Sequence, residues 1–242
     1  MNLFITLCKQ FFLDNLKHIK SITECNVMPV IKANAYGHGV QEIVNIIKET
    51  DIKRVCVALN EEADVVRKSG WRKKILLLSP SIGVIYHPQY EYFVYSFVLL
   101  EYLISLAIQY QRKINIHIKC NCGLNRFGFN LDEMDQLISI LQKNKNYLNI
   151  IGIGTHLPRL NYEINQEIEE QITLFSSFVA KINTYTKKKL IIHTMSSRGA
   201  HLMKPYNVPG NTVRIGGLLY GLITEENQKK IYKVYPQASF KQ

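Results

Sequence analysis

Short apolar, β-branched runs recur along the chain, and segments with helical periodicity separate most of them. The runs predict eight strands, at residues 27–31, 54–59, 74–79, 93–98, 114–119, 150–155, 190–194 and 212–215. A helix between the first two strands is indicated by apolar residues that share one helix face: Val40, Ile43, Val44 and Ile47. The segment NEEADVVRKSG predicts the next helix, because acidic residues favour its first turn and Gly70 favours its end.

Two later segments, LDEMDQLISILQK and EEQITLFSSFVAKI, have the same helical pattern and follow the fifth and sixth strands. Strands that alternate with helices indicate an α/β fold with parallel strands and right-handed crossovers. Eight such strands predict a TIM-type (β/α)8 barrel over residues 1–222. The alternative is an open doubly wound sheet. That fold is expected to carry G-x-G-x-x-G after an early strand, and the sequence lacks this motif.

Composition and charge narrow the classes of partner and location. The net charge is +11 over 242 residues, but the basic residues are spread along the chain, which does not favour a nucleic-acid interface. The N-terminus lacks the basic region of a signal peptide. The apolar stretch 92–108 has Glu101 in its middle and favours a buried strand followed by a helix over a membrane span. Five cysteines without disulfide-like spacing predict a reducing, cytoplasmic location.

The predicted strands end in residues whose chemistry is unusually uniform. In a parallel barrel the functional groups gather at the C-terminal ends of the strands. Most residues at these ends are basic, hydroxyl-bearing or glycine: Lys32, Tyr36, Lys119, Arg126, His156, Ser196, Ser197, Arg214, Gly216 and Gly217. Hardly a carboxylate accompanies them, so the ring predicts an anionic ligand, most obviously a phosphate. His117, Cys120 and Cys122 lack a second ligand pair with zinc-like spacing, so no metal site is predicted.

The residues around Lys32 resemble a known signature. The stretch VIKANAYGHG is similar to the cofactor-lysine segment of the alanine racemases, which depend on pyridoxal 5′-phosphate. Five further segments resemble that family in the same order: VCVALNEEADVVRKSG, IHIKCNCGLNRFGF, GIGTHL, HTMSSRG and VRIGGLLYGL. Together they cover most of residues 10–222. The chain departs from the family pattern at Asn121 and Cys122, where Asp-Thr is usual, and at Ser196, where Asn is usual.

The resemblance implies a barrel that binds pyridoxal phosphate. Lys32 would hold the cofactor as a Schiff base and move the α-hydrogen on one face of the substrate. Tyr36 and Ser197 would bind the phosphate. Further contacts to the cofactor would come from Ser196 and from the backbone at two glycines, Gly216 and Gly217.

The same resemblance assigns the remaining residues of the ring. Arg126 would bind the cofactor's phenolic oxygen and help to place the substrate carboxylate. Lys119 would be carbamylated, which would make it an anion that orients Arg126. His156 would pack beside the cofactor ring. Arg214 would face the pyridine nitrogen and disfavour its protonation, which suits simple proton exchange at Cα.

The activity that the resemblance implies is the interconversion of L- and D-alanine, which supplies D-alanine for peptidoglycan. The family works as a homodimer, in which a tyrosine from a β-domain of the partner subunit is the second base. The tail KVYPQASFKQ resembles the start of that β-domain, so residues 223–242 are predicted to be a linker and a truncated remnant of it. Two alternatives stay open: an inactive relative that only binds pyridoxal phosphate, and a cofactor-holding protein.

Overall fold

The structure is a computed structural model that describes residues 4–157, 165–222 and 238–241. The strands are β1 (Phe4–Leu7), β2 (Asn26–Pro29), β3 (Arg54–Val57), β4 (Lys74–Leu77), β5 (Tyr90–Val94), β6 (Ile114–Lys119), β7 (Leu148–Gly154), β8 (Ile191–His193), β9 (Thr212–Ile215) and β10 (Ala238–Lys241). The helical segments are α1 (Lys9–Thr23), a short turn α2 (Lys32–Tyr36), α3 (Val40–Ile47), α4 (Asn60–Lys68), α5 (Phe97–Tyr110), α6 (Met134–Lys143) and α7 (Gln166–Thr186), with 3-10 turns at Ala200–Leu202 and Gly217–Tyr220.

Eight parallel strands form the barrel that the sequence predicts. Hydrogen bonds order them β2-β9-β8-β7-β6-β5-β4-β3. The two ends of this sheet meet through a parallel bridge between Val30 and Cys56. The N–H of Ile31 donates to the carbonyl of Cys56 at 2.9 Å across the same gap. The barrel prediction is therefore confirmed, and the open doubly wound sheet is wrong.

Strand β5 lies earlier in the chain than its apolar run predicts. The run predicts a strand at 93–98, whereas the strand is Tyr90–Val94 and α5 begins at Phe97. The strand stops here because Ser96 caps the helix, with its Oγ accepting from the Leu99 N–H at 3.3 Å. The other seven predicted strands are present, and their ends differ from the prediction by two residues or fewer.

The N-terminal elements β1 and α1 are not predicted from the apolar pattern. Helix α1 packs on the barrel through a face that includes Phe12, Leu16 and Ile19, all buried. Strand β1 lies outside the barrel sheet and pairs antiparallel with β10, with Phe4 opposite Lys241. The boundary at residue 222 stays a prediction, since residues 223–237 and 242 lie outside the described part of the chain.

Two connections between strands, β4 to β5 and β5 to β6, can be compared with what the sequence predicts. Residues 78–89, all of which the structure describes, contain no helix, so a loop joins β4 to β5. Helix α5 contains most of the apolar stretch at 92–108 and is 14 residues long. None of the described helices is long and apolar enough to span a membrane.

The barrel interior has an apolar half and a polar half. Strands β2 to β5 contribute a small apolar cluster: Met28, Val30, Cys56, Leu76 and Phe93. The other half is polar, and its hydrogen-bonded side chains come from β5, β6, β8 and β9: Glu91, His117, His193 and Arg214. Bulky branched apolar residues dominate the interior of most such barrels. The polar half of this interior is therefore unusual for the fold.

Candidate active site

Strand β2 runs into the turn α2, which carries Lys32. The next four residues, Ala33 to Tyr36, have φ between 51° and 57°, in the left-handed region. This conformation costs L-residues roughly 1–2 kcal/mol each, so contacts must hold the turn in place. The side chain of Asn34 supplies one of them, since its Oδ1 accepts from the Val40 N–H at 2.9 Å. Gly37 then ends the turn with φ of 85°, which glycine adopts without strain.

Glu62 ties this turn to the start of α4. One carboxylate oxygen, Oε1, accepts from the Ala33 N–H at 2.7 Å. The other, Oε2, accepts from the Ala58 and Leu59 N–H groups at 2.7 and 3.1 Å. Glu62 therefore fixes the backbone next to Lys32 as well as its own helix. The sequence predicts only its place in the first turn of α4.

All ten residues of the predicted ring line one cavity of about 630 Å³ at the C-terminal end of the barrel. The loops and turns after the strands bring them together, as the barrel model requires. Five of the lining side chains are cationic: Lys32, Lys119, Arg126, Arg198 and Arg214. Among the described residues that line the cavity there is no carboxylate. An anionic ligand would neutralise part of this charge, whereas a cation would be repelled.

The charge of this cavity changes the ionisation of its own residues. Burial, reinforced by Arg126 and Arg214, lowers the pKa of Lys119 to about 8. Burial and the neighbouring cations, Arg214 foremost, lower the pKa of His156 to about 3. His156 is therefore neutral at pH 7 and does not add to the positive charge. Lys119 keeps a substantial neutral fraction near pH 8, which makes its amine nucleophilic.

One end of the cavity gathers hydroxyl and backbone N–H groups. The Ser197 Oγ accepts from the N–H groups of Gly216 and Leu218, at 3.2 and 3.3 Å. Tyr36 lines the same cavity, and its hydroxyl lies so close to Gly216 that a side chain there would overlap it. Burial raises the pKa of the Tyr36 phenol, so this group remains a hydrogen-bond donor. Because the N–H groups of Gly216 and Leu218 donate to Ser197, its own hydroxyl hydrogen is left to donate, and two such hydroxyls suit a phosphate.

Gly216→Ala tests this close approach. A Cβ at Gly216 would overlap the Tyr36 hydroxyl and ring. We expect Tyr36 to be displaced and the affinity for a phosphorylated ligand to fall about tenfold, the value of one lost hydrogen bond to a charged group. Isothermal titration with pyridoxal phosphate measures it. Gly217→Ala is the matched comparison, because a Cβ there would meet Leu222 at 3.5 Å, an ordinary contact. Equal affinity losses in the two variants would contradict the prediction.

Arg214 is buried in the barrel wall and lines the cavity. Both hydrogens of its Nη1 are engaged, one by His193 Nδ1 and one by the His193 carbonyl. Its Nη2 donates to the Thr155 carbonyl. Burial lowers the pKa of Arg214 to about 10, so it stays charged at pH 7. Its guanidinium also lies over the ring of Phe93, at 5.8 Å from the ring centroid.

Several residues near the cavity were not predicted from the sequence. Phe93 and Arg198 line it without having been predicted. Phe93 also contacts Lys119, whose Nζ lies 5.5 Å from the ring centroid. Glu91 and His193 were not predicted because nothing local marks them. His117 was considered as a metal ligand, whereas its imidazole contacts Glu91 and His193.

Comparison with known proteins identifies the family. A family model described as "Alanine racemase, N-terminal domain" matches residues 9–224. The chain belongs to the alanine racemase family. The alanine racemase of Fusobacterium nucleatum is 31% identical over 235 residues, which are 91% of this chain and 61% of that protein. The alanine racemase of Ligilactobacillus salivarius is 30% identical over 203 residues, 81% of this chain and 53% of the relative. The chain thus spans just over half to about three fifths of these relatives.

Solved alanine racemases have the same fold as the chain. The enzyme from Clostridium difficile 630 superimposes with a TM-score of 0.85 at 22% identity, covering 99% of this chain and 64% of the other. The enzyme from a D-cycloserine-producing Streptomyces lavendulae gives 0.89 at 19% identity, covering 99% and 65%. At this level of identity the likeness establishes the fold.

The residues present fit pyridoxal phosphate, the cofactor of this family. The cavity offers a lysine amine for its aldehyde and the hydroxyls of Tyr36 and Ser197 for its phosphate. The cavity's cations match its negative charge. Small residues, Ala58 and Gly217, also line the cavity. Lys32, Tyr36, Ser197 and Arg214 are the residues that would hold it.

Proposed function

We propose that the chain binds pyridoxal phosphate through Lys32 and acts on alanine as an amino-acid racemase. One observation carries the proposal: the lysine of the family signature lies in a cavity with five cationic side chains and, among its described lining, no carboxylate. The activity is that of relatives much longer than this chain, so it is a proposal here.

Lys32 has two tasks in this scheme. Its Nζ would hold the cofactor, and its amine would move the α-hydrogen on one face of the amino acid. When bound, pyridoxal phosphate draws electron density from the breaking Cα–H bond. Arg214, charged at pH 7, would disfavour a proton on the pyridine nitrogen. His156, neutral because of burial and its cationic neighbours, would lie beside the ring without adding a positive charge.

Arg126 and Lys119 would act on the carboxylate side of the substrate. We propose that Arg126 binds the carboxylate and so fixes which hydrogen faces Lys32. Among the residues that the structure describes, no carboxylate forms an ion pair with Lys119. A carbamate on Lys119 would replace its positive charge with a negative one and would give Arg126 an acceptor.

Labelled carbon dioxide tests this modification. The neutral Lys119 amine attacks CO2, forms an N–C bond and releases one proton, which the lowered pKa of about 8 favours. We expect a carbamate signal in the 13C spectrum of protein equilibrated with 13C-bicarbonate at pH 8. We expect Lys119→Met to lose it and Lys113→Met, a surface control, to retain it. A signal that persists in Lys119→Met would place the carbamate elsewhere.

Racemisation also needs a base on the opposite face of the substrate. Among the described cavity-lining residues Tyr36 is the only tyrosine, and it lies at the phosphate end beside Gly216. This placement favours a second candidate function, in which the chain binds the cofactor and exchanges the α-hydrogen on one face only.

Hydrogen exchange separates the two functions. The protein is loaded with pyridoxal phosphate, and L- and D-alanine are followed separately in deuterated water by NMR and chiral chromatography. Racemisation of both enantiomers with α-deuterium supports the racemase. Exchange confined to one enantiomer supports the one-face function. Absence of any visible-range cofactor absorption would overturn both proposals.

The family resemblance also leads us to propose a homodimer and a cytoplasmic location. Light scattering after size exclusion, with and without pyridoxal phosphate, tests the oligomeric state. A monomer at all concentrations would contradict the dimer.

A further inference from the structure

A line of five polar side chains crosses the barrel interior from one end to the other. It begins at Arg54 on β3 and passes through Glu91, His117 and His193 to Arg214 on β9. Glu91, His117 and His193 are each 0% exposed, and Arg214 is 5% exposed. Arg54 lines a second cavity, of about 560 Å³, at the N-terminal ends of the strands, and Arg214 lines the cofactor cavity. Buried ionic groups are seldom retained for stability, because well-packed apolar residues usually serve as well.

The contacts along this line permit one arrangement of protons. Arginine can only donate, so the His193 Nδ1 that faces Arg214 must be an acceptor without a proton. The proton of neutral His193 is therefore on Nε2, which donates to His117 Nδ1 at 3.0 Å. His117 in turn carries its proton on Nε2 and donates to Glu91 Oε2 at 3.1 Å. Every hydrogen bond from Arg214 to Glu91 then points in the same direction.

Glu91 is the anionic end of the line. Arg54 binds it with two donors, Nε to Oε2 at 2.8 Å and Nη2 to Oε1 at 3.2 Å. Burial alone would raise the pKa of Glu91, but the hydrogen bonds from His117 and Arg54 outweigh it and lower that pKa. Burial lowers the pKa of both histidines, which keeps the imidazoles neutral between the two charged ends.

Strand β7 is shaped to accommodate this line. A Cβ at Gly152 would overlap the His117 ring, and a Cβ at Gly154 would overlap the His193 ring. The two glycines of the GIGTH segment therefore leave the space that the imidazoles on the neighbouring strands occupy. The space on β7, the charges at the two ends and the direction of the hydrogen bonds are all consistent with one ordered line of side chains.

We propose that Glu91 and His117 are positioning residues for Arg214, acting through His193, and that Arg54 anchors Glu91. The side chain and the carbonyl of His193 hold both Nη1 hydrogens of Arg214, and the Thr155 carbonyl holds one Nη2 hydrogen. The line also keeps His193 Nδ1 without a proton, so that this atom accepts from Arg214 Nη1. The inference rests on the proposed function in one respect, namely that Arg214 faces the cofactor ring.

The tautomers of the two histidines test the arrangement directly. Protein labelled with 15N-histidine, loaded with pyridoxal phosphate, is examined by long-range 1H–15N spectroscopy between pH 6 and 8. We expect His117 and His193 to be neutral, with the proton on Nε2, throughout. A cationic imidazole or an Nδ1–H tautomer at either position would overturn the proposal. The same spectra of unloaded protein keep this result separate from the question of cofactor binding.

Glu91→Gln tests the transmission to Arg214, with Glu101→Gln on the exposed face of α5 as its control. We expect Glu91→Gln to move the 15N signals of His193, which Glu91 does not touch, and to change the pH dependence of the cofactor's visible absorption. The kcat for α-hydrogen exchange should fall about tenfold or more with KM within about twofold. Unmoved His193 signals, or an unchanged kcat, would overturn the proposal. If this variant does not fold, the histidine tautomers of the wild-type protein still test the proposal.

Discussion

Lys32→Ala is expected to abolish covalent binding of pyridoxal phosphate and α-hydrogen exchange. Removing the amine removes both the attachment point and a base, and the loss of a positioned base alone costs about 10²–10⁴-fold in rate. Borohydride reduction followed by peptide mass spectrometry should find the cofactor on Lys32 in the wild type and on no lysine in the variant. Added methylamine should restore a small part of the exchange.

A second lysine in the same cavity is an alternative attachment point for the cofactor. Lys119 also lines it, and burial lowers the pKa of its amine to about 8. The lowered pKa makes Lys119 a second candidate, whereas the family signature points to Lys32. A reduced adduct on Lys119 in the Lys32→Ala protein would overturn the assignment. Lys48→Ala, at an exposed lysine after α3, should behave like the wild type in every assay.

Acid is expected to unfold the protein over a narrow pH range below about 6.5. His117, His156 and His193 have lowered pKa values in the fold, chiefly because of burial, and that of His156 is about 3. In the unfolded chain they titrate near about 6.5. As the pH falls through that value, these histidines bind protons in the unfolded state but not in the native state. Each proton lowers the free energy of unfolding by up to about 1.4 kcal/mol per pH unit.

The three histidines together give a slope of up to about 4 kcal/mol per pH unit, against a typical total stability of about 5–15 kcal/mol. Urea unfolding of cofactor-free protein from pH 8 to 5 measures this slope. His156→Gln should reduce it by about a third. Glu91 adds a loss at lower pH, because its pKa is lowered in the fold. A flat stability profile between pH 7 and 5 would contradict the prediction.

Patterns of neighbouring residues predicted the strands and the residues at their ends. In β6, polar residues alternate with isoleucines along the sequence, and two of them, His117 and Lys119, are buried. The strand-end residues were predicted to converge, and they line one cavity. The error at β5 came from a continuous apolar run, in which Ser96 was the overlooked stop signal: a capping residue before a helical segment.

Other features have no local signature. The turn after Lys32 contains four left-handed residues, of which none is glycine, so propensity argues against it. It exists because Glu62 and Asn34 hold its backbone. Glu91 lies within an aromatic run, YEYFV, where a lone carboxylate predicts little. It is buried because Arg54 and His117 neutralise and satisfy it.

The sequence determined the eight-stranded barrel, the lysine with its family signature and the cationic character of the cavity, because periodicity and short motifs depend on neighbours along the chain. Only the tertiary structure decided the left-handed turn and the line from Arg54 to Arg214. His117 and His193 are 76 residues apart in the chain. Their contact depends on the register of β6, β7 and β8 and on two glycines between them. Such contacts arise only when the closed barrel fixes which strands are neighbours.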